Sequence, residues 1–127
     1  MSERKPFLTA KAAVTGGPYS QAIIHNGLIY LSGAGAVDPS SNRLVLGTIE
    51  EETQMGLENM RIVLEEAGSS LQKVLKVTVY LLDMEEYDRF NAVYRSYFKI
   101  DPPARTCIQA AKLPFGTRVE MDCVAAL

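Results

Sequence analysis

Two consecutive prolines, Pro102 and Pro103, separate the last quarter of the chain from everything before it. Proline has no backbone N–H, holds φ near −65° and pushes the preceding residue out of the helical region, so neither a helix nor a central strand runs through this pair. The chain beyond it starts afresh and extended. Arg105–Ala110 reads as a strand, Leu113-Pro114-Phe115-Gly116 as a turn and Val119–Ala125 as a second strand. Alternation splits the first strand into Thr106, Ile108 and Ala110 against Arg105, Cys107 and Gln109. It splits the second into Val119, Met121 and Cys123 against Glu120 and Asp122. With the apolar sets turned to the core and the two strands adjacent, Arg105, Cys107 and Glu120 are expected together on the non-core face, close enough to act on one small molecule.

Residues 1–16 read as an arm and loop, with a short candidate strand around Phe7–Leu8 and an Ala/Gly-rich run, Ala10–Gly17, that follows neither regular period. Ala22–His25 and Leu28–Ser32 flank Asn26-Gly27, which tolerates the positive φ angles of a type I′ turn, so this segment is a hairpin. His25 is of a type that titrates near neutral pH, but directly before the turn its simpler reading is a solvated hairpin residue. Gly33-Ala34-Gly35-Ala36 lacks the third glycine and the following helix of a dinucleotide-binding loop, and reads as a small-residue strand that packs closely.

After the turn cluster Asp38–Asn42, Thr48 and Glu51 make a capping box, and Ile49, Thr53, Leu57, Met60, Val63, Leu64 and Ala67 recur near helical spacing up to a stop at Gly68. Gly56 in the middle of this helix costs roughly 1 kcal/mol relative to alanine, which points to a close neighbour there. Val74–Leu82 is a β-branched run in which Val77, Val79 and Leu81 alternate with Lys76, Thr78 and Tyr80, as a strand requires. Asp83, with Glu86 as its capping-box partner, opens a second helix along which Tyr87, Phe90, Tyr94, Tyr97 and Phe98 form one stripe. Core packing is the simpler account of that stripe.

The order hairpin, helix, strand, helix, two strands makes a single domain over residues 1–127. It is an α+β two-layer sandwich, ferredoxin-like or chorismate-mutase-like, with a mixed, mainly antiparallel sheet and two helices on one face. A hydrophobic content of 47% is enough for a core without metal or disulfide support. The uncovered sheet face carries Tyr80 and other large side chains. A monomer seldom exposes so large a mixed patch, so a closed homo-oligomer is expected, with the candidate site near a subunit boundary.

The formal net charge is −2 and no block of like charges occurs, which argues against nucleic acid as the main ligand. Cys107 and Cys123 are expected on neighbouring strands but opposite faces, a poor arrangement for a disulfide. With His25 as the one histidine, a structural zinc site lacks ligands, and no metal is expected. The polar Met1–Lys5 leads into no apolar run of signal or membrane-spanning length, so the chain is expected to be soluble and intracellular. The cytoplasm is the expected compartment, or a mitochondrion in a eukaryotic cell, although no clear transit peptide is present.

Arg105 offers a planar fork that grips a carboxylate at two points, but it could equally form a structural ion pair with Glu120. A partly buried Glu120 could have a raised pKa and exchange protons with water or substrate; its simpler reading is an exposed strand residue. Cys107 has no histidine beside it to act as a base, so an inert packed thiol is the better reading than a nucleophile.

The run Pro-Ala-Arg-Thr-Cys over 103–107, then Leu113-Pro114 and Val119-Glu120-Met121, together with Gly17-Pro18-Tyr19-Ser20-Gln21-Ala22 and Leu31-Ser32-Gly33, resembles the reactive-intermediate (enamine/imine) deaminase family, or Rid family. The resemblance runs from about Gly17 to the C-terminus, with several short motifs in order and at the right spacing. It implies a homotrimer with three sites in the clefts between subunits. It also implies a 2-iminobutanoate/2-iminopropanoate deaminase that hydrolyses reactive 2-imino and 2-enamino acids to 2-keto acids and ammonia, without a cofactor.

By the same resemblance Arg105 binds the substrate carboxylate, Glu120 activates water, and the main chain near Cys107 helps to hold that water. Tyr19, Ser32 and Gly33 line the pocket, and Tyr87 and Asn91 border it. Ala34 departs from the glutamine that usually follows Ser-Gly, which removes a polar group near the pocket wall and bears on substrate range. Two alternatives remain, a translation-inhibiting endoribonuclease and a non-catalytic chaperone or metabolite-binding protein.

Overall fold

In a computed structural model that describes residues 3–127, β1 (Lys5–Phe7) pairs with β2 (Ala22–His25), and β2 turns back into β3 (Leu28–Ala34) through Asn26 and Gly27 at φ 51° and 78°. This is the hairpin that Asn-Gly demands. The first strand begins slightly earlier than its sequence suggested and excludes Leu8. The turn cluster Asp38–Asn42 closes a small hairpin, β4 (Val37–Asp38) with β5 (Arg43–Leu44), that the sequence did not announce.

Thr48 caps α1 (Ile49–Glu66) with both halves of the expected box, and Gly68 ends it at φ 91°. At Gly56 a Cβ would lie 2.9 Å from the terminal methyl of Met121 and 3.4 Å from the Ala34 carbonyl oxygen. The residue with the lowest cost in that space is the one present, and the helix lies close on the sheet because of it.

β6 (Val74–Leu81) is an interior strand of the sheet, α2 (Tyr87–Tyr97) follows, and β7 (Ala104–Gln109) and β8 (Val119–Ala126) close the chain. Asp83 caps a short 3-10 turn over Met84–Glu86 by accepting from the Glu85 N–H, and the α-helix proper starts only after it. Glu86 does not fold back to complete a box; its carboxylate binds Arg118 instead.

The six-stranded sheet has the order β1-β2-β3-β8-β6-β7, antiparallel throughout except for the β6–β7 pair. Ile29, Leu31, Val77, Val79, Leu81, Val119 and Met121 meet Leu57, Met60 and Leu64 of α1 and Phe90 and Tyr94 of α2 in one buried cluster. Both helices thus cover the same face, and the α+β two-layer sandwich stands as expected.

Three expectations about the last quarter are overturned. β7 and β8 are not neighbours, because β6 lies between them. Arg105 stands opposite Val77 and Cys107 opposite Val79, both fully buried core residues, so the Arg105 face of β7 is the helix face. Thr106 and Ile108 look out on the open face, where the Lys76 ammonium donates to the Thr106 hydroxyl at 2.7 Å and Ile108 is 46% exposed. Glu120 stands opposite Tyr80 on that open face. Arg105 and Cys107 therefore do not share a face with Glu120. Cys107 and Cys123 share the helix face, each as a free thiol, and what separates them is β6 rather than opposed orientation.

Candidate active site

The Glu120 half of the site is built by a bulge. β3 and β8 pair Leu31 with Cys123 and then Ala34 with Met121, so Ser32 and Gly33 together oppose Asp122 alone. The extra residue bends β3 away and leaves room for the Glu120 side chain, which lies where a Cβ on Gly33 would be. Ser32 is fixed on both sides: its N–H donates to the Gln21 carbonyl at 2.9 Å and its hydroxyl to the Ser20 carbonyl at 2.6 Å. Tyr19 lays its ring over Gly17, and its hydroxyl shares a hydrogen bond with Thr15. Tyr19, Ser32, Gly33 and Glu120 line one cavity of about 520 Å³, with Pro114 and Phe115 also in its wall. Phe115 is held at φ 62°, a conformation that its Leu-Pro-Phe-Gly turn imposes.

Burial, and then the neighbouring carboxylate of Asp122, push the Glu120 pKa above its ordinary value. No cation of the described residues pairs with it. A carboxyl held in this way is a better base when ionised than a solvated one.

The Arg105 half lies across the sheet. The guanidinium carbon sits 4.7 Å from the ring centre of Tyr94, 5.5 Å from that of Phe90 and 5.6 Å from that of Tyr87, and one nitrogen donates to the Tyr87 hydroxyl at 3.0 Å. These rings recur on one side of α2, and the Gln109 side-chain oxygen helps to register them by accepting from the Met84 N–H at 2.7 Å. The aromatic stripe is thus partly core, as Phe90, Tyr94 and Phe98 are buried, and partly a cradle for a cation. The phenol of Tyr94 is pushed up to about 12 by burial, with Arg105 opposing, so it stays neutral beside the cation. Among the described residues Arg105 has no carboxylate partner, which removes the ion pair with Glu120 as an account of either residue within one chain.

Cys107 follows Arg105 on the same face, and burial raises its thiol pKa against the pull of Arg105, so it is a neutral thiol at neutral pH. Its main chain is more available than its sulfur. Ala110 donates its N–H to the Leu81 carbonyl; alternation along this ladder turns the N–H and C=O of Arg105 and Cys107 outward from the free edge of β7. Asn91 stands one turn beyond Tyr87 on α2, half-buried, with no side-chain hydrogen bond among the described residues.

The expected residues thus fall into two groups. Tyr19, Ser32, Gly33 and Glu120 converge on one side of the sheet, and Arg105, Cys107 and Tyr87 on the other. Phe115 and the cradle rings Phe90 and Tyr94 went unread as site residues. The i, i+3, i+7 spacing of Tyr87, Phe90 and Tyr94 was visible, but it says nothing about which strand supplies the cation. No cluster of three or more metal-ligating side chains occurs among the described residues, and no described helix is long and apolar enough to cross a membrane.

Comparison with known proteins agrees with this architecture. The family model described as Endoribonuclease L-PSP matches residues 9–127. The human protein named 2-iminobutanoate/2-iminopropanoate deaminase is 43% identical over 122 residues, 96% of this chain and 89% of that one. Among solved structures, a putative endoribonuclease L-PSP from Entamoeba histolytica superposes with a TM-score of 0.94 at 41% identity, covering 98% of this chain and 100% of that one. A Rid-family protein from Yersinia pestis superposes with a TM-score of 0.94 at 34% identity, again over 98% and 100%. Matched almost from end to end in both sequence and fold, this chain belongs to the Endoribonuclease L-PSP family, some of whose members carry the Rid name.

Proposed function

We propose that this protein hydrolyses 2-imino acids and their enamine tautomers to 2-keto acids and ammonia, at sites completed by two subunits of a homotrimer. The observation that carries the reading is Arg105: a guanidinium braced on three rings, with one donor engaged by Tyr87 and no carboxylate against it among the described residues. Such a fork is prepared for the carboxylate of a ligand. Glu120, the group suited to activate water, lies on the opposite sheet face, so a second copy is needed to bring a Glu120 pocket to an Arg105 cradle. The mixed open face, with Tyr30 at 43% and Ile108 at 46% exposure, supplies a surface for that copy to cover. The human relative's name states the same chemistry.

In this mechanism Arg105 holds the carboxylate, and the outward main chain at Cys107 and the Tyr19 hydroxyl help to orient substrate and water. The imine carbon is already electrophilic, so orientation supplies much of the acceleration. Glu120 takes a proton from water as the water oxygen bonds to the imine carbon, and gives that proton to the imine nitrogen, which restores the carboxylate. The resulting carbinolamine collapses: the hydroxyl proton moves to nitrogen, the C–N bond breaks, and ammonia and the keto acid leave. All of these steps are proton transfers and additions that the side chains present can serve, so the mechanism uses no cofactor.

The family model's description names an endoribonuclease. The charge pattern argues against that activity here, because the net charge is −2 and Arg61, Arg89 and Arg118 are engaged with carboxylates. An amino-acid oxidase or dehydratase coupled to the protein tests the proposal. The imine should vanish faster with wild type than with Arg105→Ala; equal rates with both, matching the uncatalysed rate, would refute it.

A further inference from the structure

Behind the Glu120 cavity lies a second chamber of about 290 Å³, roofed by the loop ahead of Tyr19 and floored by α1, with Leu8, Val14, Leu31, Met60 and Val63 in its walls. Thr15, Gly17, Tyr19, Ser32, Gly33, Gly35 and Val37 line both spaces and so form the partition between them. We propose that this chamber receives the substrate's side chain, and that Gly35 is the position that lets a long or branched apolar side chain pass. The inference rests on the imine-hydrolase reading and adds the class of imino acid to it.

The absence of a side chain at the partition has different causes at its two central glycines. At Gly33 a Cβ would collide with the Glu120 carboxylate, so glycine is required by the site itself. At Gly35 the one neighbour within 4 Å of a Cβ would be the Val119 carbonyl oxygen at 3.4 Å, an ordinary contact, and φ there is not positive. Neither packing nor backbone conformation asks for glycine at 35. What the missing side chain leaves is open space at the partition.

The polar groups around the chamber define its occupant. The Gln21 amide is spent on the roof: its oxygen accepts from the Thr9 N–H at 2.7 Å, and its nitrogen donates to the carbonyls of Ala13 at 2.7 Å and Thr9 at 3.1 Å. Asn59, buried on α1, accepts from the Ala13 N–H at 2.8 Å and donates to the carbonyls of Val37 at 2.6 Å and Met55 at 3.0 Å. Gln21 spends both donors and its acceptor on the loop, and Asn59 spends its acceptor on the loop and its donors on β4 and its own helix, so neither amide has a group left for a ligand. A polar ligand would find few free partners inside, whereas an alkyl or aryl group loses nothing by entering. The hydrogen bond between the Tyr19 and Thr15 hydroxyls ties Tyr19 to the loop ahead of it.

The test compares kcat/KM for imino acids derived from alanine and from leucine, generated in situ by an oxidase, in wild type, Gly35→Val and Ala13→Leu. Gly35→Val narrows the passage; Ala13→Leu fills the chamber from its roof, away from Glu120. Wild type should handle the leucine-derived imine within about tenfold of the alanine-derived one, and each variant should lower the leucine-to-alanine ratio at least about tenfold. Calorimetric binding of 4-methyl-2-oxopentanoate against pyruvate should follow the same order without any turnover. Unchanged ratios in both variants would overturn the chamber while leaving the hydrolase reading intact. Absence of turnover in wild type, with the binding ratio still falling in the variants, would overturn the hydrolase reading and keep the chamber as a ligand site.

Discussion

Arg105 and Glu120 lie on opposite faces of one sheet, with β6 between their strands: Arg105 is registered on Val77 toward the helices, and Glu120 on Tyr80 toward the open side. The two charges cannot neutralise each other within a chain, so neither is a stabilising ion-pair partner of the other. Arg105→Ala should therefore cost only its contact with the aromatic rings, about 0.5–2 kcal/mol. The loss of about 3–5 kcal/mol that breaking a buried pair brings is not expected. Arg105→Lys keeps the charge but not the fork, so KM for imino acids should rise while thermal unfolding stays near wild type. A large drop in Tm for Arg105→Ala, with normal turnover by the folded fraction, would remove Arg105 from the site.

The pH dependence of turnover should report Glu120. Burial and Asp122 both raise its pKa, and only the ionised form can accept a proton from water. The acid limb of kcat/KM is therefore set by a group above the usual glutamate range. Asp122→Asn removes the second cause and leaves the first, so Glu120 ionises at lower pH and the limb moves to lower pH. A limb that stays put or moves upward would show that another group controls the step. Glu120→Gln should depress kcat with little change in KM, since the proposed mechanism assigns carboxylate capture to Arg105.

Cys107→Ser should keep most of the activity. Its thiol is held protonated by burial, and the contribution expected of residue 107 is its outward main chain, which serine retains. Loss of turnover with an unaltered circular dichroism spectrum would point to a covalent route.

Glu52 is a buried acid that ties the segment ahead of α1 to the start of β8. It is 1% exposed, and its carboxylate accepts from the Gly47 N–H at 3.1 Å and the Arg118 N–H at 2.7 Å, two residues before Glu120. Arg118 returns a bond from its side chain to the Gly47 carbonyl at 2.9 Å and binds Glu86. Glu52→Ala leaves two N–H groups without partners and should destabilise the protein by roughly 2–4 kcal/mol, read by chemical denaturation.

What could be read from sequence is what depends on neighbours in sequence. Asn26-Gly27, the Thr48–Glu51 box and the stop at Gly68 each specify a local backbone conformation, and each stands where its residues put it. Glu52 stands three residues after Ile49 on the helical face of Thr53 and Gly56, so its spacing marked it as inward, while its charge did not say what it would bind there. β7 offered no such signal. In Ala-Arg-Thr-Cys-Ile-Gln both faces carry an apolar residue, Cys107 on one and Ile108 on the other, so alternation does not say which is inward. The insertion of β6 between β7 and β8 is a long-range pairing with no local signal. The family resemblance named Arg105, Glu120, Tyr19 and Ser32 without regard to face, and so could not reveal that they fall into two groups.

That division supplies the most decisive prediction. Arg105→Ala and Glu120→Gln subunits should each be nearly inactive alone, yet regain activity when unfolded together and reassembled. If each site takes Arg105 from one subunit and Glu120 from its neighbour, random assortment of equal amounts gives about a quarter of the sites both intact groups. If instead both groups served a site within one chain, every chain would still carry one lesion, and mixing would restore nothing. Sedimentation of the same mixtures checks that trimers form. Recovery near one quarter supports the shared site, whereas trimers without recovery would place both residues' work inside a single subunit and require the sheet to be read differently.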